Sequence, residues 1–211
     1  VLSDAKVDWD YWALGNDTYV DRARNTIASM FYRSDFTDLV FIDSDISWDV
    51  QGLANLLASP FDVTGGLFPK KGKWEQYTGK IKLNSESCPI QDPATELLEA
   101  EFLPAGFLRI TKSCITKLTE AYQHDWYKER DEKVVRLFAC ETTDNQYIGE
   151  DVSFCRKWQQ MGGKCYIEPR IKFGHTGTRT SDGSFYEFLL RIAEETRIQV
   201  AINGGVKNVS L

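Results

Sequence analysis

Two aspartates one residue apart, Asp43 and Asp45 in "FIDSDI", close a short apolar run. Alternate residues of an extended strand point to one side, so both carboxylates converge if the strand stays extended. Like charges at that spacing repel unless a cation lies between them, and a hard divalent ion with oxygen ligands suits the pair. The plainer reading is that one of the two caps a helix beginning near Ser47. His175, in "FGHTG", is one of two histidines and lies between glycines on backbone where little core packing would hold it, which favours a ligand or substrate role. His124, in a charged stretch, reads as solvated.

Four further groups carry weaker signals. Glu150 and Asp151 open a helix in "IGEDVSF", where acids suit the helix dipole or, alternatively, supply a general base to a hydroxyl nucleophile. Ala105 and Gly106 in "LPAGFLRI" suggest a bulge or a close backbone approach to a ligand; a tight turn is the plain alternative. Arg22 and Arg24 in "VDRARN" sit near a helix start, and an exposed face with charge pairing would account for them equally. Lys70 or Lys71 in "FPKKGK" could meet phosphate or belong to a solvated turn.

Positioning these groups requires regular elements. "VDWDYWAL", Val7 to Leu14, is aromatic-rich, alternates weakly and ends at Gly15-Asn16, which predicts a strand. A helix capped by Asn16 or Asp17 follows, with Val20, Ala23, Ile27, Met30 and Phe31 at helical spacing. "DLVFID" predicts a buried strand, Ser47 or Asp49 starts a helix ending at Pro60, and "DVTGGLF" predicts a third strand. That alternation indicates an α/β chain with a largely parallel sheet, whose ligands gather beyond the carboxyl ends of its strands. After about residue 72, "WEQYTGKIKL", "LLEAEFLPAGFLRI" and "VVRLFAC" read as strands of mixed sheet. Helices are predicted over 112–122, over "GEDVSFCRKWQQMGG" with its Gly-Gly stop, and over 184–202 before Gly204-Gly205; "KCYIEP" is a strand.

The 211 residues are 42% hydrophobic and 13% aromatic, enough to bury a sizeable core. A net charge of −6 with mixed signs argues against a nucleic-acid partner, and implies that any polyanion is met through a metal or a few placed cations. Five cysteines in no metal-like spacing read as free thiols. With no apolar run of membrane-spanning length and no signal-like N-terminus, the expected compartment is the cytoplasm, although a chain that opens on Val leaves its N-terminal processing open.

In order, "FIDSDI", "GGLFPKK", "AEFLPAGFLRITKSCITKL", "GEDVSFCRKWQQMGGKCYIEP" and "FGHTG" resemble the nucleotide-sugar glycosyltransferases of the GT-A fold. More narrowly they are similar to the single-domain enzymes of chlorella viruses, other large DNA viruses and phages, with host cytoplasm as the implied site. The resemblance covers roughly residues 7–177. It implies a single GT-A domain over 1–211, with a Rossmann-like, mixed, mostly parallel sheet flanked by helices. About 1–72 would form the nucleotide and metal half, about 73–180 the donor-sugar and acceptor half, and 181–211 a C-terminal helix.

By the same resemblance Asp43, Asp45 and His175 bind Mn²⁺ or Mg²⁺, and Asp43 with Ser44 also lies near the donor nucleotide. Arg22 or Arg24 faces the nucleotide, Lys70 the phosphates, and Pro104, Ala105 and Gly106 line the donor sugar. Glu150 and Asp151 lie between donor sugar and acceptor hydroxyl. The implied reaction moves a hexose or deoxyhexose from a UDP-sugar to a glycan or other hydroxyl acceptor. Such domains usually open with one more strand and helix, and Val7–Leu14 resembles the second strand of the family. Two alternatives stand beside this: a sugar-phosphate nucleotidyltransferase, whose Gly-rich basic loop is not seen, and a catalytically silent carbohydrate-binding module exposing Trp and Tyr.

Overall fold

The computed structural model describes residues 7–14, 17–72, 75–177 and 181–202. Helix α1 (Val20–Arg33) leads into β1 (Asp38–Ile42), a turn, β2 (Ile46–Trp48), α2 (Val50–Ala58) and β3 (Val63–Gly65). Next come β4 (Lys80–Ile81), β5 (Leu98–Phe102), β6 (Phe107–Thr111), α3 (Lys112–Ala121) and a hairpin of β7 (Trp126–Glu129) and β8 (Glu132–Val135). A second hairpin, β9 (Glu141–Thr143) and β10 (Gln146–Ile148), precedes α4 (Glu150–Gln160). The chain then runs through β11 (Cys165–Ile167), β12 (Lys172–His175), β13 (Ser181–Ser184) and α5 (Phe185–Ile202).

Six strands form one sheet in the order β1-β6-β3-β11-β5-β4, and β13-β12-β2 form a smaller one. The expected mostly parallel, Rossmann-like GT-A sheet is not what the chain builds. Of the five ladders joining the six strands, only β3–β11 is parallel among the described residues. The crossover β1–α2–β3 does make its two strands run the same way, but β6 inserts between them antiparallel to both. An apolar run reports burial on both faces of a strand and says nothing of the direction of its neighbours. What survives is the shared edge: β1, β3 and β11 all end on the same side of the sheet.

The opening segment also differs from expectation. Residues 7–14 are not a strand; Trp12 packs edge-on against Phe36 at 5.9 Å. Asn16 and Gly204-Gly205 lie outside the described residues. Tyr19 rather than Asp17 is the residue before α1, and Asp17 instead accepts from Tyr19 N and Arg22. No helix of the described residues is long and apolar enough to cross a membrane.

The main core packs α1, α3 and α4 on the large sheet through Phe31, Ile115, Leu118, Phe154 and Trp158 against Leu108 and Ile110. Each such side chain contributes about 1.5–3 kcal/mol on burial. Arg109 sits in the middle of β6 because its charge is fully met: it donates to Asp38 at 2.8 Å and to Ser59 O and Phe61 O at 2.9 Å. A second cluster of Ile46, Leu56, Phe68, Phe107, Ile171 and Phe173 seats the small sheet. Gly66 permits that contact, since a Cβ there would lie 2.3 Å from the Phe173 ring. Asp49 caps α2, accepting from Gly52 N at 2.8 Å, and its other oxygen accepts from Lys172 N at 2.8 Å, so one carboxylate fixes both helix start and β12.

Candidate functional site

The strand that carries Asp43 stops at Ile42. Ile46 N donates to Asp43 O at 3.1 Å, closing a turn over Asp43, Ser44 and Asp45 before β2 enters the small sheet. The two carboxylates are therefore placed by a turn, and the alternation of an extended strand plays no part. Asp43 N donates to Gly106 O at 2.9 Å. A Cβ on Gly106 would lie 2.7 Å from Asp43 Oδ2 and 2.7 Å from Phe68 Cζ. The small residue thus serves close approach, here of the Asp43 carboxylate. Pro104 and Ala105 are buried beside it.

Asp45 lies where the two sheets meet. Thr176 N donates to Asp45 O at 2.8 Å, and β2 pairs with β12 so that Ile46 faces His175. His175 Nε2 is 3.5 Å from Asp45 Oδ2, and Phe68 packs edge-on to the ring at 5.2 Å. Pro69 O lies 2.7 Å from His175 Nδ1; a carbonyl only accepts, so Nδ1 donates and the ring is held with Nε2 facing Asp45. Lys71 Nζ donates to the same Asp45 oxygen at 2.5 Å, and that hydrogen bond holds the Asp45 carboxyl below the usual carboxylate range.

Asp43 belongs to a second group. Arg24, on the inner face of α1, donates from Nη2 to Asp43 Oδ1 at 3.2 Å and from Nη1 to Glu150 Oε1 at the start of α4. Asn25 exchanges two hydrogen bonds with the Phe138 backbone, at 2.5 and 2.7 Å, which ties the segment leading to Glu150 against α1. Cys140 Sγ lies 3.9 Å from Glu150 Oε2. Next to Glu150, burial pushes the Asp151 carboxyl above its ordinary value and the Glu150 charge adds to the shift.

The structure brings Asp43, Gly106, Arg24 and Glu150 into one group and Asp45, His175 and Lys71 into another, joined through the single turn. Among the described residues no group of three or more His, Cys, Asp or Glu is arranged to hold a metal ion. The pair Asp45 and His175 nevertheless suits one: a carboxylate oxygen and an oriented imidazole nitrogen face each other, and the oxygen already accepts from an ammonium. Of the remaining candidates, Arg22 is exposed and engaged with Asp17, Ser44 is exposed on the turn, and Lys70 is exposed while its backbone N donates to Gln76 O at 2.6 Å. Lys71, the neighbouring lysine of "FPKKGK", meets Asp45 in place of the expected Lys70. The β9–β10 hairpin beside Glu150 is not among the elements that the apolar spacing predicts. Its signal is the Asp144-Asn145 pair, both at positive φ as a two-residue hairpin turn requires.

No protein-family model matches the chain. No curated protein matches it either. Among solved structures it is similar to the virus protein A197 from STIV, with a TM-score of 0.51 and 20% identity over 83% of this chain and 76% of that one. That likeness concerns the fold alone.

Proposed function

We propose that the chain is a nucleotide-sugar glycosyltransferase that takes a hexose or deoxyhexose from a UDP-sugar to a hydroxyl of a glycan, with Mn²⁺ or Mg²⁺ as cofactor. The observation that carries this reading is the meeting of two charged groups on one turn, a carboxylate–imidazole pair that already holds a cation and a carboxylate–guanidinium–carboxylate chain. The order of motifs along the sequence, which resembles that enzyme class, supports it.

In this reading Asp45 and His175 would hold the divalent ion with Asp43 beside them, and Asp43 would also face the ribose. When bound, the ion supplies Lewis-acid stabilisation of the charge that develops on the departing diphosphate. Arg24 keeps Asp43 and Glu150 fixed relative to each other. Asp151, made more basic by burial, accepts the acceptor hydroxyl's proton in an inverting transfer and positions that hydroxyl in a retaining one. Titration calorimetry with Mn²⁺ and UDP tests the site: the parent is expected to bind both and Asp45→Ala to lose Mn²⁺. Equal binding by parent and variant would remove the reading.

A further inference from the structure

Lys71 is held in an unusual place for a surface lysine. It follows directly on a closure formed by the Pro69–Tyr77 bridge and by hydrogen bonds from Lys70 N to Gln76 O at 2.6 Å and from Thr78 N to Phe68 O at 3.0 Å. The same closure supplies, two residues earlier, the Pro69 carbonyl that orients His175. Its ammonium therefore sits on Asp45 Oδ2, the very oxygen that His175 Nε2 faces at 3.5 Å. A divalent ion bound by Asp45 and His175 and this ammonium would compete for one oxygen, two cations at a place that neutralises one. The Lys71 side chain is 43% exposed, so it can leave Asp45 without disturbing the core.

We infer that Lys71 is a tethered counter-ion that guards the cation site and then moves to the donor. Before ligands bind it neutralises Asp45. When a divalent ion takes Asp45 and His175, the ammonium is released beside the ion, where the diphosphate of the nucleotide brings fresh negative charge. Lys71 exchanges a carboxylate for a phosphate oxygen. Metal binding alone must break an ion pair, whereas metal and nucleotide together offer the ammonium a new partner, so each ligand strengthens the other by the same factor. Lys71 thus acts as a positioning residue that makes metal and donor bind as a unit. This rests on the proposed glycosyltransferase reading of the site.

Calorimetry of Mn²⁺ and UDP, each titrated with and without the other, tests it on the parent, Lys71→Met and Lys71→Arg. In Lys71→Met, Mn²⁺ alone should bind about fivefold more tightly, the factor that the upper range of an exposed ion pair converts to. UDP should bind the Mn²⁺-loaded variant more weakly than the Mn²⁺-loaded parent, and the mutual strengthening should shrink. Lys71→Arg should restore the parent pattern. If Mn²⁺ and UDP bind the parent but Lys71→Met leaves both affinities and their coupling unchanged, the role of Lys71 is overturned while the site stands. If neither the parent nor the variants bind Mn²⁺, with or without UDP, both readings fall together.

Discussion

Arg24 lies between Asp43 and Glu150 with its side chain 9% exposed, and each carboxylate would face the other's charge without it. Arg24→Ala is expected to destabilise the fold by about 2 kcal/mol, less than a fully buried pair would cost because Asp43 is 42% exposed to screening solvent. Urea unfolding checks this, and Arg24→Lys should recover only part, since one ammonium cannot span two carboxylates as a guanidinium fork does. Asp151 gives a test by pH. Its folded value is raised by burial, so the stability tied to its protonated form is present below the unfolded value of about 3.9 and is lost as pH rises through the folded one. Asp151→Asn should therefore melt above the parent at neutral pH, with the gap closing as the pH falls toward 4, and should lose transfer activity. A gap that does not change with pH would show that burial of the Asp151 charge is not its source. At this scale the sequence was informative about residue type and poor at pairing: Asp43, Asp45, His175 and Glu150 stand out by composition. That Asp43 pairs with Arg24, and Asp45 with Lys71, depends on contacts across 19 and 26 residues that no local spacing encodes.

The deciding element is the turn over Asp43, Ser44 and Asp45. It transfers the chain from the large sheet to the small one, and so sets one carboxylate against α1 and the other against β12. Gly106 protects that arrangement. Gly106→Ala would press a methyl against Asp43 Oδ2 and the Phe68 ring, at a cost of about 1–3 kcal/mol for overpacking. It is expected to weaken Mn²⁺ and UDP binding more than its loss of stability explains; unchanged binding in calorimetry would show that the turn tolerates movement. Asp49, four residues past Asp45, has a different task. Asp49→Ala should lower stability by about 1–2 kcal/mol through the lost cap, and leave Mn²⁺ affinity near that of the parent. Asp49 was readable as a helix start because capping is local. The turn was not, because "DSDIS" fits an extended strand as well as a reversal, and only the pairing of β2 with β12 decides between them.

Across the whole molecule, β1, β3 and β11 end on one edge although β6 and β5, paired with them, run the other way. β6 and β5, both contributed by the middle of the chain, flank the β3–β11 pair in an order that alternating elements in the first 70 residues do not reveal. Helices α1 to α4 were legible from their apolar spacing and stops. The Val7–Leu14 strand was not formed, since its aromatic content reflects packing such as that of Trp12 on Phe36 without a ladder. If metal and nucleotide bind at the shared edge, they tie together α1, both sheets and α4. Mn²⁺ with UDP at about 100 times their dissociation constant should then raise stability by about 2.7 kcal/mol, seen as a higher melting temperature that EDTA removes. The most direct measurement is a panel of UDP-sugars incubated with the protein and Mn²⁺, scoring UDP release. The expected result is release from at least one UDP-sugar, abolished by EDTA and by Asp45→Ala. Glycan binding that survives EDTA, with no UDP released from any donor, would contradict the account.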